Sequence, residues 1–224
     1  IQNSILRPLL PIGSRLNIND KQNKEIIFKV SKYMTMIIGG LSILALIFIE
    51  DFVQLWVGKD FENTIFIIRI LFIIFLLPNT GAMLMLYYSK GKTKANVKFT
   101  FLNSIISLGL GTLLAIPYNG IGFSIGIVIS YIIILIIKFN FFCREFAINF
   151  LTFIKKAYIQ PFFIIMLSFI ITIYFKQFFS INSWFTLIIG VFVSIIIMLT
   201  IILIVLPKSE RDFIVNNIIK SNKQ

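Results

Sequence analysis

Six apolar runs, each 17 residues or longer and each holding at most one charge, decide what this chain can fold into. They cover Tyr33 to Ile49, Ile65 to Tyr88, Phe99 to Ile116, Ile121 to Ile137, Ala157 to Phe175 and Trp184 to Leu206. A hydrocarbon core about 30 Å thick is crossed by a tilted helix of about this length, rising 1.5 Å per residue. Strands would need a closed barrel with alternating faces, and these continuous runs do not alternate. The fold class read from the sequence is therefore all-α, a polytopic membrane bundle of six helices. Composition agrees: 58% of residues are hydrophobic, 13% are charged and the mean hydropathy is +0.95. A soluble domain carries about a quarter charged residues.

Much catalytic chemistry is excluded by residue supply. The chain has no His and a single Cys143, so it holds no His/Cys zinc site, no Ser-His-Asp triad, no Cys-His dyad and no internal disulfide. The expectation is a protein that is not an enzyme and needs no metal or cofactor. The net charge of +12, from 21 Lys and Arg against 9 Asp and Glu, points to anionic membrane lipids and to orientation rather than to nucleic acid.

Position supports that reading. Basic residues in short connections favour the cytoplasmic side. The leading segment, the second-to-third loop, the fourth-to-fifth region and the tail together hold 18 Lys and Arg. Lys59 and Lys176 are the 2 on the other side, and the third-to-fourth link, Pro117-Tyr118-Asn119-Gly120, has no charge. Both ends are thus expected in the cytoplasm, with the protein multi-pass in the cytoplasmic (inner) membrane. Residues 1–32 are read as the end of a preceding helix plus a basic amphipathic segment, 33–206 as the membrane domain and 207–224 as a cytoplasmic tail. The chain opens on Ile1 without a signal-peptide pattern, and a fragment is expected. Ile26 to Val30 and Phe146 to Ile154 are too short or too interrupted to span, and read either as interfacial helix or as plain loop.

Within the spans, Gly122, Gly126 and Ser130 make a small-residue stripe on which another helix can pack closely. The third span is its expected neighbour through the four-residue link, presenting Asn103, Ser107 and Gly111 on one face. Asn103 either packs there or lines a polar cavity, because an amide facing lipid is costly. Pro78-Asn79-Thr80-Gly81 predicts a kink in the second span. Gln160-Pro161 reads as the start of the fifth. Arg69 is the only charge inside a span and lies about 6 Å along the helix from Ile65, so it either snorkels to the outer headgroups or meets an anion in a cavity. No Asp or Glu lies deep in a span, so no carboxylate proton relay can be built from this piece.

The order of these features resembles a known family. Pro11-x-x-Ser14, a basic stretch, a span ending Leu55-Trp56-Val57-Gly58-Lys59-Asp60-Phe61, a proline-broken span, Gly91-Lys92-Thr93-Lys94, the Asn103 helix and Pro117 to Gly122 leading to Gly126 and Ser130 follow one another as in the second half of polysaccharide and O-antigen flippases. These belong to the multidrug/oligosaccharidyl-lipid/polysaccharide exporter superfamily. The resemblance runs from Pro11 to Ser130, and the last two spans carry no motif. It implies the C-terminal part of a two-lobed transporter that moves an undecaprenyl-pyrophosphate-linked oligosaccharide by alternating access. Its partners would be membrane lipids, the lipid-linked oligosaccharide and the missing N-terminal lobe of the same protein.

A pyrophosphate needs cations that stay charged, and Arg69 is the one arginine placed for that role. Arg69, Asn79 and Asn103 are the candidate substrate contacts. Lys90, Lys92, Lys94 and Lys98 either collect anionic headgroups or act as topology determinants. A related exporter of drugs or of lipid-linked peptidoglycan precursor, and a non-transporting scaffold, are the competing readings. A glycan polymerase would need a large outer loop, and the expected outer loops are short.

Overall fold

The computed structural model describes residues 21–78 and 80–207. Every regular element among them is helical: α1 Lys21–Trp56, α2 Glu62–Leu76, α3 Gly81–Tyr88, α4 Lys94–Glu145, α5 Phe150–Phe153, a π-helical turn Ile154–Ile159, α6 Gln160–Lys176 and α7 Trp184–Val205. Four helical stretches are long and apolar enough to cross a membrane, or five when the bent pair α2 and α3 is taken as one. The Pro11 and Ser14 motif, Asn79 and the tail from Lys208 lie outside the described residues.

α4 is helical over 52 residues, yet it turns back on itself. Asn119, two residues after Pro117, has φ 51 and ψ −138. In a straight helix Gly111 and Gly126 would stand about 22 Å apart. Instead a Cβ built on Gly126 would lie 2.6 Å from the Gly111 Cα, and one on Gly122 would strike the Leu114 carbonyl. The arms 94–118 and 120–145 are therefore antiparallel, in register from Leu114 beside Gly122 to the Phe99 and Phe141 rings 5.3 Å apart. Proline removes a backbone donor, and asparagine tolerates positive φ better than most side chains.

α1 is the central helix. It is about 54 Å long at 1.5 Å per residue, and packs against α2, α6 and α7. Gly39 and Gly40 permit this: added Cβ atoms would meet Ile165 of α6 and Met198 of α7 respectively. The first helix thus begins at Lys21, and its candidate span at Lys24, rather than at Tyr33. The stretch Ile26 to Val30, expected at the interface or in a loop, is its first turns, with Ile27 fully buried. Phe146 to Ile154 differs in the same way. Phe146 and Phe153 are buried, Asn149 Oδ1 accepts from Leu151 N at 2.9 Å, and a helical run starts at Phe150. A long helix protruding beyond the hydrocarbon buries apolar residues against its neighbours, which a reading of separate segments does not register.

Pro161 lies in the first turn of α6, but the helical path is already under way. The π turn widens the helix just before the proline, whose missing N–H cannot continue the ordinary ladder. The Tyr158 hydroxyl of this turn donates to the Leu76 carbonyl at the end of α2, where the break has removed the helical partner. α2 and α3 are bent by 60° across Pro78. At the start of α7, Ser183 and Thr186 form a reciprocal capping box.

The two ends of the bundle differ in charge. One gathers the start of α1, α3, both ends of α4, the π turn and the end of α7, and it is rich in lysine. A ring network seals it, Tyr87 on Phe142 and Phe139 on Phe153, with Phe28 against Phe153. The other gathers the end of α1, the start of α2, the Pro117 turn, the end of α6 and the start of α7. Here Glu50 and Asp51 lie next to each other in sequence and tie two different helices.

Candidate functional site

Between the two arms of α4 and the α2–α3 break lies a polar recess of about 160 Å³. Asn103 and Thr100 face it from the first arm, Tyr131 and Lys138 from the second, and Thr80 from the break. The antiparallel register places Asn103 across from Ile134, one turn from Tyr131. Asn103 Oδ1 is buried and has no hydrogen-bond partner among the described residues. A buried amide oxygen without a partner is costly, and in an apolar bundle such a group marks a place to look for a ligand. Thr80 is 7% exposed and sits at the N-terminus of α3, with backbone donors not used within the helix.

Arg69 is placed elsewhere. Its Nη2 donates to Glu50 Oε2 at 2.9 Å, beside a cleft of about 370 Å³ that also holds Glu62, Gln54 and Asn63. Two carboxylates and one guanidinium make this cleft net negative, an unfavourable setting for a phosphate. Arg69 also borders an apolar groove of about 620 Å³ floored by Leu46 and Ile47, with Lys176 on its far side. Lys176 is held three ways: it pairs with Asp51, donates to the Ile47 carbonyl at 2.8 Å and stands 5.5 Å from the Phe48 ring centroid.

The lysines of the α3–α4 connection are not equivalent. Lys92 pairs with Glu145 at the far end of α4 and lies over the Tyr87 ring, 5.4 Å from its centroid. The Glu145 hydrogen bond, with desolvation opposing it, holds the Lys92 ammonium above its usual pKa. Lys94 and Lys98 are exposed at the start of α4, and Lys90 lies in the preceding turn. Asn96 Nδ2 donates to the Tyr88 hydroxyl at 2.6 Å and fixes this connection to α3.

Gly122, Gly126 and Ser130 are buried between the arms, and the Ser130 hydroxyl donates to the Ile127 carbonyl at 2.8 Å. Asn103 shares the inter-arm surface with them, while Arg69 lies at the opposite end from the lysines. Sequence reasoning did not single out Thr80, Tyr131 and Lys138. Thr80 adjoins the proline break, but Tyr131 and Lys138 are placed only by the register of the arms. No cluster of His, Cys, Asp and Glu suited to a metal occurs among the described residues.

No protein-family model, curated protein or solved structure matches this chain.

Proposed function

We propose that the chain crosses a membrane six times and forms the later part of a transporter that flips a lipid-linked oligosaccharide. The six crossings are α1, the broken pair α2 and α3, each arm of α4, the run from α5 through α6, and α7. The lysine-rich end faces the cytoplasm in this reading, since cytoplasmic connections retain Lys and Arg. The observation that carries the transport reading is the recess at Asn103. A broken helix beside a polar pocket, at the depth of otherwise apolar spans, is how transporters present backbone and side-chain groups to a substrate. The motif order from Pro11 to Ser130 narrows the substrate to a lipid-linked glycan. Asn103 and Thr80 would hydrogen-bond the polar group, and Lys138 would supply the charge. Arg69 acts as a tie between α1 and α2 rather than as a phosphate contact.

Two measurements test this. In the source strain, Asn103→Leu and Lys138→Gln in the full-length protein should each lower surface glycan per unit of membrane-inserted protein by about tenfold, the cost of losing one to two polar contacts. Unchanged export from both variants would remove the recess from the mechanism. For the topology, Cys143 is buried, so the reporter belongs elsewhere. In a Cys143→Ser background, Lys94→Cys should react with a membrane-impermeant maleimide only after the cells are opened, and Lys59→Cys in intact cells. The reverse pattern would invert the orientation.

A further inference from the structure

The cleft beside Arg69 and the apolar groove next to it are parts of one feature. Phe66 and Arg69 line both, so the cleft of about 370 Å³ adjoins the groove of about 620 Å³. Three helices wall the pair, and each changes character in the same direction. On α2 the lining residues Glu62, Phe66, Arg69 and Ile73 follow at spacings of four, three and four, one face of a helix over about 16 Å. On α1 Gln54 and Glu50 give way to Ile47 and Leu46, and on α6 Lys176 gives way to Ile173 and Phe169. Hydrogen bonds join the polar levels of the three walls: Arg69 Nη2 donates to Glu50 Oε2 at 2.9 Å, and Lys176 donates to the Ile47 carbonyl at 2.8 Å. The walls are therefore in register, polar at the carboxylate end and apolar toward the middle of the spans. Phe66, Ile73 and Ile173 line the groove and are nonetheless exposed, so it is open to what surrounds the bundle.

Charge at the mouth selects the headgroup. Glu50 and Glu62 balance Arg69 and Lys176 on the walls, and Asp51, paired with Lys176, brings the sum to −1. Lys59 and Asp60 in the adjoining turn cancel. Residues 1–20 and 208–224 join the chain at Lys21 and Pro207, at the opposite end of the bundle. An anionic lipid thus finds no excess of positive charge here, whereas a zwitterion can satisfy both signs. Arg69 uses Nη2 on Glu50, and a guanidinium has five donors. Glu50 Oε1 and the Glu62 carboxylate have no partner among the described residues.

We infer that the cleft and groove together hold one phospholipid with an ethanolamine headgroup. An acyl chain lies along Ile70, Ile73 and Ile173, the phosphodiester meets the remaining donors of Arg69, and the ammonium reaches Glu50 and Glu62 beyond it. Chain, phosphate and ammonium follow one another along the lipid as Ile73, Arg69 and Glu62 do along α2. A primary ammonium has three donors for the two carboxylates, and a choline headgroup has none. A pyrophosphate carrier, with no cation of its own, remains disfavoured by those carboxylates, so this site is distinct from that of the transported substrate. The inference rests on the apolar helices crossing a membrane and not on what they carry.

The test uses the full chain in nanodiscs of phosphatidylcholine with equal small fractions of phosphatidylethanolamine and phosphatidylglycerol, the lipids retained on the protein being counted by native mass spectrometry. Relative to its share of the disc, phosphatidylethanolamine should be retained about fivefold over each of the others, the worth of about one hydrogen bond. Glu62→Gln alters the mouth and Ile73→Trp fills the groove; both positions are exposed, so the fold tolerates either change. Each should remove that preference. Asp60→Asn and Ile170→Trp make the same kinds of change at exposed positions outside the site and should leave it within about twofold. Phosphatidylglycerol or phosphatidylcholine retained as well as phosphatidylethanolamine by the wild type would overturn the headgroup assignment. Losses no larger in the site variants than in the controls, or a loss from only one of the two site variants, would overturn the joint site.

Discussion

The two ends of the bundle hold different amounts of positive charge. At the carboxylate end, the cations that face the bundle are each matched: Arg69 by Glu50 and Lys176 by Asp51. At the lysine-rich end Lys92 has Glu145, and Lys29, Lys32, Lys155 and Lys156 gather with Glu25 on the walls of one cleft. Charge that is matched within the chain holds helices together. Lysine is thus a single staple between helices at one end and is gathered on the walls of one cleft at the other.

The largest expected effect comes from separating the arms that bring the Pro117 turn to the carboxylate end. A Cβ at Gly126 already falls 2.5 Å from the Gly111 backbone nitrogen, and backbone cannot move aside as a flexible side chain can. Gly126→Leu should therefore lower stability in detergent by about 3 kcal/mol or more, or prevent folding. Unfolding in graded dodecyl sulfate, followed by tryptophan fluorescence, reports it. A loss under about 1 kcal/mol would mean that the arms do not pack as described.

Breaking the better buried staple comes next. Asp51 and Lys176 have side chains 19% and 26% exposed. Asp51→Asn should cost about 1–3 kcal/mol, because Lys176 keeps its charge and loses its counterion. Lys176→Met in the same background should recover part of the loss, and additivity of the two changes would show that the pair is not coupled.

Smaller again is the Arg69 staple, whose partners are 43% and 48% exposed. Glu50→Gln should cost about 0–1 kcal/mol and less at high salt. At the opposite end, the exposed Lys98 should be replaceable by Gln within about 0.5 kcal/mol. If Lys98→Gln destabilised as much as Asp51→Asn, the contrast between the ends would be lost.

The legible part of this molecule is local. Run length and missing charge announce the apolar helices, because a span is defined by what it lacks over a stretch of neighbours. Pro117-Tyr118-Asn119-Gly120 announces a chain reversal, since one proline and a residue able to take positive φ suffice to end a helix and begin another. Pro78 announces a break for the same reason. The small residues at Gly122 and Gly126 were readable as a surface for close approach, and Gly111 as part of the face that meets them, although the contact of Leu114 with Gly122 was not assigned by spacing alone.

What the sequence withheld depends on which helices become neighbours. Arg69 reads equally as a snorkelling anchor or a cavity cation until α1 delivers Glu50 to it, 19 residues earlier in the chain. Lys29 and Lys155 look like ordinary topology determinants until the packing of α1 on the π turn sets them across one cleft. The first turns of α1 look interfacial until Phe139, Phe142 and Phe153 cover Ile27. Hydrophobic run length and turn chemistry are properties of a few consecutive residues, so the sequence by itself determined the helices and the sidedness of their charge. Ion pairing and recess polarity arise between residues far apart in the chain, and only the tertiary structure could choose those pairs.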